Sequence, residues 1–202
     1  MKYPEHWGAI GSHAGDAYFD FIYKTEWPKV LTHLQHFQSA NSEKQQASAK
    51  SGLLSQGRDD GRIANFLEKI KDRTSPSNED VMTLMMLAMA ASYDPDLKAP
   101  NNFRVPYNLE TGDFISVRWS KWLAHDPINL VTKYHSNLKT MKAIYIDCGY
   151  RDQFHTHFGA RQLSKMLTSK KVPHLYEEFN GTHSGIDHRL DSSLPYLSKH
   201  LL

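Results

Sequence analysis

The run from Lys142 to Phe179 leaves this chain few ways to fold. AIYIDCG is a short apolar stretch, of the length of a buried strand rather than a helix. After the turn YRDQF, residues 158–169 place Ala160, Leu163 and Leu167 on one helical face. Residues 173–179 read as a second strand, NGTHSG as a turn, and 192–202, with Leu194, Leu197 and Leu201, as a closing helix. Strand–helix–strand–helix is the pattern of a parallel α/β sheet.

In such a sheet both turns leave at the carboxyl ends of the strands, where α/β proteins hold their ligands. Asp152 in the first turn and His183 in the second, 31 positions apart, can therefore meet. A carboxylate there can bond the δ nitrogen of the imidazole, fix its tautomer and stabilise its cation. Gly181 and Gly185 let the backbone turn sharply around His183. The plainer reading of Asp152 is a turn aspartate satisfying local amides. Asp147 is a rival, but it lies within the strand and faces the sheet surface.

WGAIGSHAG, near the start, reads as another buried strand leaving into a loop. Residues 16–27 are rich in aromatics. Tyr18, Phe19, Phe21 and Trp27, with His13 at the end of the strand, are the candidates for contact with a substrate, although core packing is the commoner fate of such side chains. Pro28 suits a first helical turn, followed by the apolar face Val30, Leu31, Leu34 and Phe37. Residues 38–57 are polar and read as an exposed loop. A helix is predicted over 60–72, with Ile63, Phe66, Leu67 and Ile70 inward. Ser77 and Asp80 resemble a capping box. The helix after them, VMTLMMLAMAA, is apolar almost all round and should be largely buried. Phe114 to Val117 suits a short strand. Asp126-Pro127 signals a helix start continuing over 128–134. The sheet is thus assigned to residues 1–15 and 121–202, and residues 16–120 to a mostly helical cap inserted between its strands.

Composition excludes several classes. A net charge of +2, with the basic residues dispersed, gives no case for nucleic acid or an anionic membrane. No window approaches the roughly 18 apolar residues of a membrane span. Met1 to His6 lacks the apolar core of a signal peptide, which favours the cytoplasm. The single cysteine, Cys148, closes an apolar strand and reads as a buried, inert thiol.

Other chemistry is less well supported. His33/His36 and His155/His157 are close pairs among 12 histidines, but no third ligand stands at a recognisable metal spacing. A metal-dependent hydrolase using clustered histidines is one alternative. No serine sits in G-x-S-x-G, the nucleophile elbow of α/β-hydrolases. Ser12 in GSHAG and Ser184 in GTHSG lack glycine at the required offsets.

KYPEHWGAIGSHAGD, MLAMAASYDPD, WLAHDPINLV, YIDCGYRDQFHTHFGARQL and VPHLYEEFNGTHSGIDHRLD together resemble the later part of α/β-hydrolase esterases similar to enterochelin esterases and esterase D. The likeness runs over almost the whole chain and is most specific at GYRDQF and GTHSGIDHR. It implies a partial α/β-hydrolase fold, with about three parallel strands, flanking helices and an inserted helical cap. It implies a Ser-His-Asp triad acting on a small-molecule ester without cofactor, with Asp152 and His183 as acid and base. The family's serine precedes a helix ending in a segment like Lys2-Tyr3-Pro4, so on this pattern the nucleophile is missing from the chain. An inactive relative that pairs with a partner, or with itself through an exposed sheet edge, is the other alternative.

Overall fold

The computed structural model describes residues 1–38 and 60–202. In chain order its elements are β1 (Ala9–His13), α1 (Phe19–Ile22), α2 (Trp27–Gln35), α3 (Arg62–Lys71), α4 (Asn78–Tyr93), α5 (Ser116–Leu123), α6 (Pro127–Leu138), β2 (Ala143–Gly149), α7 (Thr156–Ser169), β3 (Leu175–Phe179) and α8 (Leu190–Leu201). The strands form one parallel sheet in the order β1-β2-β3. The fold is therefore α/β, a three-stranded parallel sheet with flanking helices. Two compact units are formed, Met1–Lys24 with Leu123–Leu202, and Thr25–Trp122. Residues 16–24 thus group with the sheet rather than with the helical insertion. The polar loop expected at 38–57 lies, from residue 39 onward, outside the described residues. No described helix is long and apolar enough to cross a membrane.

In the sheet unit, β2 is the central strand and is buried along its whole length. Its residues alternate between two faces, as strand geometry requires. Ile144, Ile146 and Cys148 join Val131 and Leu138 of α6 and Ala160, Leu163 and Leu167 of α7 in one apolar core. Tyr145 and Asp147 belong to a polar network on α8's side. Arg189, just before α8, donates through Nε to Asp147 (2.8 Å) and through Nη2 to Tyr145 (2.7 Å) and Glu177 (2.7 Å). The Tyr145 hydroxyl donates towards Asp147 and Glu177. Burial, and then the bond to Glu177, push the Tyr145 pKa up, so this hydroxyl keeps its proton.

The inner face of α8 differs from the expected leucine stripe. Its buried residue is Ser193, whereas Leu194 is 57% exposed. The reason is the polar sheet surface below: Ser193 reaches the His13 ring at 3.1 Å, a contact no leucine can make. Leu197 still lies over Gly11 of β1, and Leu201 over Gly8 just before the strand. A Cβ on Gly8 would come within 2.7 Å of Leu201, and one on Gly11 within 3.3 Å of Leu197. Apolar surface opens beside β1. Ile10, Ile144, Ile146, Leu138, Leu163 and Leu167 line a cleft of about 170 Å³, and Trp7 is 62% exposed.

The helical unit is built around aromatic packing. Trp27 meets Trp122 edge-on at 5.8 Å, and Trp119 stacks on Trp122 at 5.3 Å. Val30, Leu34, Ile63, Phe66, Met86 and Leu87 are among its buried residues. Ser77 and Asp80 form the expected capping box at the start of α4. Asp80 is fully buried and also binds His33 and Arg73. Two expectations need correction. Helix α4 buries only one face and leaves Val81 56% and Leu84 41% exposed. The segment expected as a strand at 114–117 contributes only an isolated bridge from Phe114 to Tyr107 before α5 begins at Ser116.

Removing Arg189 should unlock the polar face of the sheet. Arg189→Met leaves Asp147 buried with only His13 and Tyr145, and should cost on the order of 3 kcal/mol of stability. Chemical denaturation checks this, and a change below about 0.5 kcal/mol would show that the network is dispensable.

Candidate active site

Asp152 and His183 stand on two turns that are bonded to each other. The amide of Tyr150 donates to the carbonyl of Phe179 (3.0 Å), and that of Arg151 to Gly181 (3.1 Å). The amide of His183 donates to the side-chain oxygen of Gln153 (3.1 Å). The turns approach so closely at Gly149 that a Cβ there would lie 2.5 Å from the Gly181 carbonyl oxygen. Any side chain at position 149 would force them apart. Gly185, at φ +69°, supplies the left-handed residue that returns the chain towards Arg189.

The result is a hydrogen bond of 2.8 Å between His183 Nδ1 and Asp152 Oδ2. Asp152 is 2% exposed. It also accepts from the Thr156 hydroxyl (2.6 Å) and the Phe154 amide (2.8 Å). Burial works to raise its pKa, but the bonds from Thr156, His183 and Phe154 outweigh this and hold the carboxyl below its usual range. It is therefore charged at neutral pH and acts as a pure acceptor. That makes His183 Nδ1 the proton-bearing nitrogen and leaves Nε2 as the basic one. Among the described residues nothing hydrogen-bonds Nε2, and the His183 side chain is 34% exposed. Phe154 lies edge-on to the imidazole, 4.9 Å between centroids.

A second aspartate–histidine pair occupies the other face of β2. His13 Nδ1 lies 2.7 Å from Asp147 Oδ1, and Nε2 lies 3.1 Å from Ser193 Oγ. In outline this is also a serine–histidine–aspartate line. Its surroundings close it: Ser193 is 1% exposed and Asp147 is 0% exposed. Both ring nitrogens of His13 are occupied, so this residue, expected to contact substrate, is instead a strut between β1, β2 and α8. The sequence signal was the pairing of positions 13 and 147 across parallel strands.

The aromatic candidates separate in the same way. Tyr18 and Phe21 are each 36% exposed, whereas Phe19 is 1% exposed and Trp27 is fully buried. Phe19 packs edge-on against Tyr23, and Trp27 against Trp122, so both belong to packing rather than to a surface that meets a ligand. Tyr18 has left-handed backbone geometry, φ 66°, a conformation that costs about 1–3 kcal/mol for a bulky residue. It is held there by Asp126. That buried carboxylate accepts from the amides of Tyr18 (3.1 Å), Phe19 (2.8 Å) and Ile128 (3.0 Å). Asp126 thus does more than cap α6. His155, before α7, is likewise left-handed at φ 63°.

Cys148 is buried, and burial, with Asp152 nearby, pushes its thiol up to about 12. Ser12 lines the cleft beside β1. Among the described residues no group of three or more His, Cys, Asp or Glu side chains could hold a metal ion. His33 bonds Asp80 and packs on Phe66, and His157 is buried against Phe158. No family model and no curated protein matches the chain.

The lowered Asp152 pKa sets the sign of one pH effect. Its stabilisation is present above the unfolded carboxylate value, about 3.9, and is lost as pH falls through the lower folded value. Asp152→Asn should therefore destabilise the protein at pH 7, and the gap to wild type should narrow as pH falls below about 4. Urea midpoints of both proteins across that range measure the gap, and one that widens on acidification would contradict this balance.

Proposed function

We propose that this chain supplies the base and the acid of a serine carboxylic-ester hydrolase. The observation that carries the reading is the 2.8 Å bond from His183 Nδ1 to the buried Asp152 carboxylate, with Nε2 left open to solvent. The resemblance of GYRDQF and GTHSGIDHR to α/β-hydrolase esterases points the same way. In this mechanism Nε2 takes the serine hydroxyl proton as the oxygen attacks the ester carbonyl. The imidazolium, stabilised by Asp152, then protonates the leaving alcohol. Water hydrolyses the acyl-enzyme by the same route in reverse, with His183 as base again. The nucleophile comes from a strand–turn–helix carrying G-x-S-x-G that adds to the edge beside β1.

A second reading has its own support. The open apolar cleft beside β1 also suits a chain that pairs with a partner and catalyses nothing. The two differ in turnover. Supplied with a G-x-S-x-G segment, upstream or as a separate polypeptide, the chain should hydrolyse p-nitrophenyl esters. His183→Gln and Asp152→Asn should each lower kcat by about 10⁴-fold, and EDTA should leave the rate unchanged. Turnover that survives His183→Gln, or that EDTA abolishes, would contradict the proposal.

A further inference from the structure

The carboxylate that meets His183 is itself held at the end of a directed chain of hydrogen bonds. Asp152 Oδ1 accepts from the Phe154 amide at 2.8 Å. Oδ2 accepts from both the Thr156 hydroxyl (2.6 Å) and His183 Nδ1 (2.8 Å). Thr156, the first residue of α7, is 1% exposed. Its oxygen also lies 3.2 Å from Sγ of Cys148, which is buried in β2. A hydroxyl has one proton to give, and an ionised carboxylate can only accept. The Thr156 proton therefore goes to Asp152. The Thr156 oxygen is left to accept from the Cys148 thiol, which burial keeps protonated. Donation thus runs from Cys148 through Thr156 to Asp152 Oδ2, the oxygen to which His183 also donates.

We infer that Thr156 is a positioning residue for His183: its hydroxyl fixes the plane of the Asp152 carboxylate, and through it the tautomer and direction of the imidazole. This rests on the reading of His183 as a hydrolase base with Asp152 as its orienter. The torsion that turns a carboxylate about its own axis is broad and roughly two-fold, so the side chain does not set its plane unaided. The Phe154 amide holds one oxygen from within the same turn. Thr156 holds the other from a 14-residue helix, and its β-branched side chain is stiff about χ1. The 2.6 Å separation is that of a charge-assisted bond from a hydroxyl to a carboxylate. Cys148, with its proton directed at Thr156, serves this chain as a donor rather than as a nucleophile.

The test joins NMR on the whole chain to rates in the serine-supplied protein. Imidazole ¹⁵N shifts report the tautomer, and at neutral pH wild-type His183 should carry its proton almost wholly on Nδ1. Thr156→Val, which keeps the shape but cannot donate, should move a measurable share of the ring to the Nε2–H tautomer. It should also lower kcat about tenfold with KM unchanged. Thr156→Ser, which keeps the hydroxyl, should restore both. Wild-type shifts and kcat in Thr156→Val, or no recovery in Thr156→Ser, would overturn the inference. If Thr156→Val does not fold, the wild-type chain decides. A Thr156 hydroxyl proton in slow exchange with water upholds the chain of bonds, and one exchanging like that of a free threonine overturns it. The predicted tautomer change without any His183-dependent turnover would overturn the hydrolase reading and uphold the positioning role. Turnover that needs His183 but is indifferent to Thr156→Val would overturn the positioning role alone.

Discussion

The sheet depends on a single buried carboxylate. Asp147 lies in the central strand with no exposure, and a charge in that position needs several partners to offset its lost hydration. It draws them from three elements: His13 of β1, Tyr145 of its own strand, and Arg189 ahead of α8. Through His13 it also reaches Ser193. The C-terminal helix is therefore located by hydrogen bonds as much as by apolar contact. The turn carrying His183 runs between β3 and Arg189, so the same network anchors the far end of that turn. Its near end is tied by the amide of Arg151 and the close approach at Gly149.

Two aspartate–histidine pairs of similar geometry occupy this unit, and their surroundings differ. In Asp147–His13 both imidazole nitrogens are taken and the carboxylate and the serine beyond are buried, although the His13 side chain is itself 21% exposed. Asp152–His183 has a carboxylate sealed by Thr156 and Phe154 and an imidazole open on its far side. A base needs that asymmetry, with one nitrogen fixed and the other available. Distance alone would not separate the pairs, since the two Nδ1 contacts are 2.7 and 2.8 Å.

Much of this was legible in the sequence, for identifiable reasons. The β2–turn–α7–β3–turn run was readable because strand length, helical periodicity and glycine placement agree there, and that agreement also brought Asp152 and His183 together. Capping chemistry located α4 and α6 through Ser77, Asp80 and Asp126. The errors arose where burial depends on what lies opposite. His13 looked accessible until paired with Asp147. Leu194 looked inward until the sheet face beneath α8 proved polar. Phe19 and Trp27 could not be told from Tyr18 and Phe21 by residue type, because the sorting is done by the left-handed turn at Tyr18 and by tryptophan packing. Helix α5 was hidden by its β-prone start, although Trp119 and Trp122 already stood at helical spacing.

The central proposal is that His183 serves a serine that this 202-residue chain does not supply. The most direct measurement is where a serine-directed fluorophosphonate attaches, mapped by mass spectrometry. The account predicts no labelled serine in the 202-residue chain alone, and labelling confined to the G-x-S-x-G serine, dependent on His183, once that segment is supplied. Labelling of a serine within this chain, Ser12 or Ser193 included, would contradict it.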